Sequence, residues 1–530
     1  CGIDPHLPTW RVTLIASVSL MVALFAMPAS TEAAVDERAS VSGAGIEGNY
    51  ESGAPSLSGD GRYVAFVSLA DNLLEGDSNG CYDVFMRDLQ TGTVERVSVA
   101  GDGSQANGDS RAPVISADGS RVAFLSRATN LVSNDTNGKW DVFVRTLATG
   151  ETVRVSVSSS GEQADGDSTR ADLNSDGSVV CFTSLAMNLV AGDTNGASDV
   201  LVHELASGVT ERVSACSEEG QANGWSDYAT ISGDGRYIAF DSGASNLTSS
   251  DTNGLWDVFV RDRQEGVTVR VSKSNSDIET DGHSLCPFIS ADGSYVVFES
   301  AATNLVGGDT NNAWDVFLRA LSGGNTERVS LSIGGTQADD DSDCASVSTD
   351  GRYVAFRSSA TNLSPNDANG VGDVFVRDRT KGTTQRVSVS ATGIQGYDDS
   401  DSPSMSSDGR YIAFESWAAE LVSADTNGCA DVFVAEAVDV PTVSGLSENR
   451  GPIYGGTVVL ISGTFFTGVS SVTFGGEPAA FVVDSSNKIR ATAPAHEEGT
   501  AQVQVVAKGV PSEDTEADDF HYYPATLCQQ

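Results

Sequence analysis

Lysine is nearly missing from this chain: five lysines stand among 31 basic residues, against 73 acidic ones, and 31 minus 73 gives a formal charge of -42. A field of that sign repels phosphate backbones and anionic lipid, so nucleic-acid binding is excluded and the field favours metal cations or basic partners. Histidine is as scarce: His6, His203, His283, His496 and His521 share no register and cannot form a histidine-held metal centre. The eight cysteines contain no CxxC pair, which excludes a zinc ribbon, and are too few for a dense disulfide scaffold. No GxSxG or HExxH motif is present. Helical 3.6-residue periodicity is absent, while 55 glycines and abundant Ser, Thr, Asp and Asn give the composition of turns between strands. The chain reads as all-β.

One long apolar run exists. Residues 12–31 carry no charge, Arg11 precedes them, and small residues follow Pro28. This predicts a secretory signal peptide over 1–34, cleaved between Ala29 and Val35, with no stable membrane span afterwards. The mature chain is then secreted, periplasmic or held at the cell surface.

What is there is a repeat. Asp-Gly recurs at Asp60, Asp118, Asp176, Asp234, Asp292, Asp350 and Asp408, always 58 residues apart. Each unit predicts four short strands. In the first unit these are a run ending at Ser58, then 62–68, 83–88 and 93–99, with Asp60-Gly61 as a tight turn. Seven such units predict a seven-bladed β-propeller over 35–438. An isolated strand, ERASV at 37–41, lies 58 residues before ERVSV at 95–99, and the seventh unit lacks its own fourth strand. The leading strand is therefore expected to complete the last blade and close the ring, removing exposed edges.

The repeated SxDGRYVAF and DVFVRD resemble the WD-repeat-like propeller repeat of TolB-type periplasmic proteins, over about 36–438. The resemblance implies a fold and not a function, since such propellers include scaffolds, sensors and enzymes. It departs from the family's type member in blade count, which is six there. After Pro441 the period stops, and GPIYGGTVVLISGTFF, FGGEPAAF and DDFHYY resemble an IPT/TIG domain, an immunoglobulin-like sandwich, assigned here to 441–524. The resemblance implies a spacer or a second contact surface.

Strands two and four of a blade run the same way, so the 2–3 loop and the connector to the next blade leave on one face, and both are long. The other face carries only tight turns. Long loops on a rigid scaffold are where binding resides. Six of the seven 2–3 loops contain AxNL, with an apolar plug and an amide able to tie the backbone, and the seventh keeps only the leucine of the Asn-Leu pair, Leu421. It is followed by DxNGxxD, giving Asp77, Asn79 and Asp83; Asp135, Asn137 and Asp141; Asp193, Asn195 and Asp199; Asp251, Asn253 and Asp257; Asp309, Asn311 and Asp315; Asp367, Asn369 and Asp373; and Asp425, Asn427 and Asp431. Oxygen ligands at alternating positions around a glycine turn are calcium candidates. The same spacing serves an Asn-Gly hairpin with a backbone-capping aspartate, and no bidentate glutamate is present. Arg96 and its equivalents recur in nearly every unit and are read as ion pairs between adjacent blades. Cys286 and Cys344 share a register in adjacent units, so a bridge between them requires both to line a narrow channel. Cys181 takes a core alanine's place and is read as a buried thiol.

These features predict an exported, non-catalytic binding or scaffold protein that offers an acidic, loop-rich face to an extracellular or periplasmic protein or glycan, with calcium as the one cofactor considered. The alternative is an enzyme, a hydrolase or lyase of extracellular polysaccharide, with carboxylates at the propeller channel.

Overall fold

The computed structural model describes residues 35–524 apart from 219, 365–366, 438–440, 467–468, 486, 508–509 and 513–514; the expected signal peptide, 1–34, lies outside the described residues. Strand formation begins at the SxDG turn. Ser58 Oγ donates to Asp60 Oδ1 at 2.6 Å, the same carboxylate oxygen accepts the Arg62 N–H at 2.9 Å, and Gly61 takes φ 72°. A left-handed residue at that step favours glycine, and a Cβ there would also run into the ring of Tyr411 from the neighbouring blade.

On either side of the turn lie the first strand, Ser52–Leu57, and the second, Tyr63–Ser68. The third, Asp83–Asp88, and fourth, Val94–Arg96, complete an antiparallel sheet in chain order. The fourth strand stops short of the expected Val99. Beyond Arg96 the chain peels away: Ser98 Oγ donates to the Asp83 carboxylate at 2.6 Å and accepts the Val84 N–H at 3.1 Å, while Val99 bridges to Gln105.

Six such sheets follow one another in sequence, and a seventh joins Ser400–Met405, Tyr411–Ser416 and Asp431–Glu436 to the leading strand Val35–Arg38. The leading strand pairs antiparallel, Arg38 opposite Phe433, and Ser40 repeats the role of Ser98 at Asp431. The fold is the expected all-β, seven-bladed propeller closed by an N-terminal strand.

The core explains why the ring needs every blade. Second and third strands are buried on both faces, and Phe66 stacks on Phe85 at 5.9 Å, with the same pair in six blades; blade three has Leu201 where the others have the second ring. The buried apolar clusters lie between blades and not within them. Phe66 and Phe85 of blade one pack on Ala413, Val432 and Val434 of blade seven, and six further clusters fill the other six junctions. Backbone hydrogen bonds join the turns of neighbouring blades: Gly59 N–H donates to Ala117 O, Asp118 to Ser175, Ser175 to Gly233, Gly233 to Ala291, Thr349 to Ser407, and Ser407 to Gly59 at 2.8 Å. First strands of successive blades touch one another, the last reaching the first, so they surround the axis.

The C-terminal region is an immunoglobulin-like sandwich. One sheet orders Thr442–Leu446, Val458–Thr464, Lys488–Thr492 and Ala480–Ser485; the other orders Arg450–Pro452, Asp519–Tyr523, Gly499–Ala507, Val469–Phe474 and Glu477–Pro478. Val459, Ile461, Phe474, Val503 and Phe520 fill the space between them, with Phe474 edge-on to Phe520 at 5.2 Å. Among the described residues no helix is long and apolar enough to cross a membrane.

Candidate functional site on the loop face and the channel

The 2–3 loops and the connectors meet on one face, where each connector is stitched between two blades. Asn130 of blade two donates its amide to Gln105 O at 2.8 Å, and Asn79 of blade one donates to Ala106 O at 3.0 Å. The arrangement recurs at Asn188, Asn246, Asn304 and Asn362, and the apolar plug of each loop, such as Leu73 or Leu131, is buried.

Inside each loop the aspartates of DxNGxxD face an arginine. Arg96 lies 2.8 Å from Asp77 and 3.4 Å from Asp83; Arg154 lies 3.2 Å from Asp135 and 3.6 Å from Asp141. Arg270 spans Asp251 and Asp257, Arg328 spans Asp309 and Asp315, and Arg386 spans Asp367 and Asp373. In blade three Arg212 holds Asp199 at 3.4 Å, while Asp193 accepts from Gln221 at 2.8 Å. Asn79, Asn137, Asn253, Asn311, Asn369 and Asn427 each donate Nδ2 to the second aspartate of their loop, and Asn195 donates to Ala222 O.

These arginines pair within their own blade, not between blades as the sequence suggested. The fourth strand runs antiparallel to the third with Phe85 opposite Arg96, so the guanidinium lies over the Phe85 ring and reaches Asp83. Burial, with the neighbouring second aspartate adding to it, pushes Asp251, Asp367 and Asp425 up to about 6.

At the closing blade three carboxylates, Glu47, Asp425 and Asp431, bring one oxygen each within 4.8 Å of one another. Arg38 sits among them, 3.0 Å from Asp431, 3.5 Å from Glu47 and 3.8 Å from Asp425. Burial opposes ionisation of Glu47, yet hydrogen bonds from Thr426 and Asn427 with the Arg38 charge hold it below its usual range.

The loop-face ends of the strands carry aromatics. All the described tryptophans fall at three registers there: Trp140, Trp256 and Trp314 just before third strands, Trp225 at the entry to a first strand, and Trp417 at the exit of a second strand. Trp225 is 52% exposed and Trp417 45%. Each of the former three donates its backbone N–H to the next blade's rim: Trp140 to Asp167 at 2.9 Å, Trp256 to His283 Nδ1 at 3.1 Å, Trp314 to Asp341 at 2.8 Å. As an acceptor, His283 Nδ1 is the unprotonated nitrogen, so a neutral His283 carries its proton on Nε2.

Below the rim the first strands bulge. In six blades one residue takes a left-handed backbone, among them Ala54, Tyr228, Cys286 and Cys344 at φ 47° to 49°, and the exposed N–H groups point at carboxylates. Ala54 N–H donates to Glu415 at 2.6 Å, Cys286 to Asp241 at 2.9 Å and Cys344 to Glu299 at 3.3 Å. Asp241 sits directly opposite Asp227 across the strand pair, and Asp401 opposite Glu415. Such like-charge pairing is destabilising unless a proton is shared or a cation intervenes. Arg357 serves blades six and seven, 3.2 Å from Asp343 and 3.7 Å from Asp401. Arg170 instead lies flat on the Tyr228 ring, 3.3 Å from its centroid.

Burial pushes Asp241 up to about 7, and Asp227 adds to the shift while the Cys286 N–H opposes it; one Asp241 oxygen, buried, has no partner. Burial likewise raises Glu299, Asp343 and Glu415, and pushes Asp172, held by the Leu173 and Ile231 N–H groups, up to about 7. Cys286 and Cys344 are free thiols within innermost strands, both raised chiefly by burial, and Cys181 is free and buried in the core.

The sequence placed the 2–3 loops and the connectors on one face but did not single out these residues, because a strict repeat makes conspicuous only what recurs. The rim and channel positions are those where the units differ at a fixed register: Val67, Leu125, Thr183, Asp241, Glu299, Arg357 and Glu415 are one such set. Variation inside a strict repeat is the signal that could have found them.

Residues 441–522 match the IPT/TIG domain. No curated protein matches the chain. Among solved structures, an oligogalacturonate lyase from Vibrio parahaemolyticus is 12% identical over 74% of this chain and 91% of its own, with a TM-score of 0.45. TolB from Acinetobacter baumannii is 13% identical over 74% of this chain and 81% of its own, at 0.34, and a putative TolB from Agrobacterium tumefaciens is 18% identical over 53% and 80%, also at 0.34.

Proposed function

We propose that the protein is an exported binding or scaffold protein whose loop face receives an extracellular or periplasmic protein or glycan. The observation that carries this reading is the gathering of every described tryptophan on the loop face at three registers, with Trp225 and Trp417 half-exposed there rather than packed in a core. Arrays of extracellular peptides and glycans test it with the mature chain and two variants. A loop-face variant, Tyr50→Ala/Tyr397→Ala/Trp417→Ala, removes Trp417 and two exposed tyrosines of the connectors just ahead of the first strands of blades one and seven; it is expected to lose the signals that a turn-face variant keeps, Arg62→Ala/Arg236→Ala, whose arginines follow the Asp60 and Asp234 turns. Signals that survive the loop-face variant, or no signal on either array, contradict the reading.

The seven DxNGxxD loops act in this reading as arginine-filled clamps that fix the face. Calcium at Glu47, Asp425 and Asp431 has to displace Arg38, and in most other loops an equivalent arginine. Thermal melting in millimolar calcium and in chelator is expected to give one curve. A rise equivalent to about 2.7 kcal/mol, the value for a site at a hundred times its dissociation constant, would establish calcium as a structural cofactor instead.

A second reading, cleavage of polysaccharide by channel carboxylates, is favoured by Asp227 lying opposite an Asp241 pushed up to about 7, an acid and a base in one register. Asp241 is only 1% exposed, which places binding ahead of it. Shortened or unsaturated products from incubated glycans would reverse that order.

A further inference from the structure

We infer that blade four carries a stacking site for a glycan without acidic groups, built on Trp225 and Trp256; this rests on the loop-face reading and names its ligand class. The two indoles belong to one blade, and Gly243 brings them together. Gly243 donates its N–H to Trp225 O at 3.0 Å, and a Cβ on it would lie 3.2 Å from the Cε2 and Nε1 atoms of Trp256. At this register the other blades carry Leu69, Arg127, Leu185, Ala301, Ser359 and Trp417. Only here does this register carry no side chain, so the Trp256 ring lies against the bare backbone of Gly243, whose N–H is bonded to the carbonyl of the exposed Trp225.

The groups around the pair suit a sugar. A pyranose presents a face of C–H bonds, which packs on the electron-rich face of an indole, and a rim of hydroxyls that need donors and acceptors in the ring plane. His283, whose Nδ1 is occupied by the Trp256 N–H, offers Nε2–H as a donor when neutral. Asp227 follows Trp225 by two residues, and one of its carboxylate oxygens is taken by the Tyr228 N–H. An apolar protein surface fits less well, because Asp227 and His283, both polar, lie beside the two indoles in sequence and in hydrogen bonding. Acidic sugars are disfavoured by charge: the chain carries -42, and Asp227 and Asp241 face one another in the same blade.

Calorimetric titration of the mature chain with cello-, malto- and laminari-oligosaccharides and with oligogalacturonate tests the inference. At least one neutral series is expected to bind with a dissociation constant below 1 mM, and oligogalacturonate not to bind. Trp225→Ala and Gly243→Ala are each expected to weaken binding about tenfold or more, while Arg62→Ala, beside an SxDG turn on the opposite face, leaves it unchanged. Trp225 is exposed, so its removal leaves folding intact, and the melting temperature checks this. Absence of binding by every neutral series, preference for the uronate, or undiminished affinity in Trp225→Ala would overturn it. Loop-face-dependent peptide signals without glycan binding would sustain the wider reading and end this one.

Discussion

Asp241 shows at the scale of a single residue how the channel charges the fold. Its carboxyl is buried opposite Asp227 and titrates near 7, against about 4 in an unfolded chain. A folded pKa raised in this way stabilises fully below the unfolded value and loses that contribution as pH rises through the folded one. The chain is therefore expected to melt lower at pH 8 than at pH 5. Asp241→Asn should gain about 2 kcal/mol relative to the parent over that interval, measured as urea midpoints at both values. Asp88, held near 2 by Arg62, acts in the opposite sense and only at far lower pH. A parent and variant with parallel pH profiles would contradict the account. None of this was legible in the sequence: with 73 acidic residues, no single aspartate stands out until a bulge and a register place it.

Elements were the most legible scale. The Asp-Gly period and the ERASV segment predicted the turns, the strand order and the closing strand, because glycine at positive φ and alternating apolar residues dictate them locally. The end of the fourth strand was misjudged, since Ser98 leaves the ladder to bind Asp83, a tertiary contact that strand propensity does not encode. The partner of Arg96 was misjudged for the same reason. Two expectations belong to this scale. Gly119 has φ 68° and faces the Tyr63 ring across a blade junction, so Gly119→Ala is expected to cost at least about 1 kcal/mol in chemical denaturation, from strain and collision together. Asp141 accepts from Ser156, Asn137 and Arg154 while itself buried, so Asp141→Ala leaves the Ser156 and Asn137 donors without this acceptor and Arg154 with Asp135 as its remaining carboxylate, and should cost about 3 kcal/mol. An effect below 1 kcal/mol for Asp141→Ala would mean that the clamps do not hold the loops.

Across the whole molecule, seven wedges share seven apolar junctions, and no junction belongs to one blade. The rim tryptophans and channel carboxylates are spread over several blades and form one site only if the ring is closed. Closure depends on the leading strand, which supplies the last blade's fourth strand, the Arg38 clamp on Asp431 and the Ser40 contact. The most direct measurement compares cooperative unfolding of the chain begun at residue 35 with that of a chain begun at residue 42, by urea titration with hydrogen exchange of blade seven. Loss of a single transition, together with rapid exchange across 400–436, is the predicted result; the same midpoint and the same protection in both chains would contradict ring closure by the N-terminal strand.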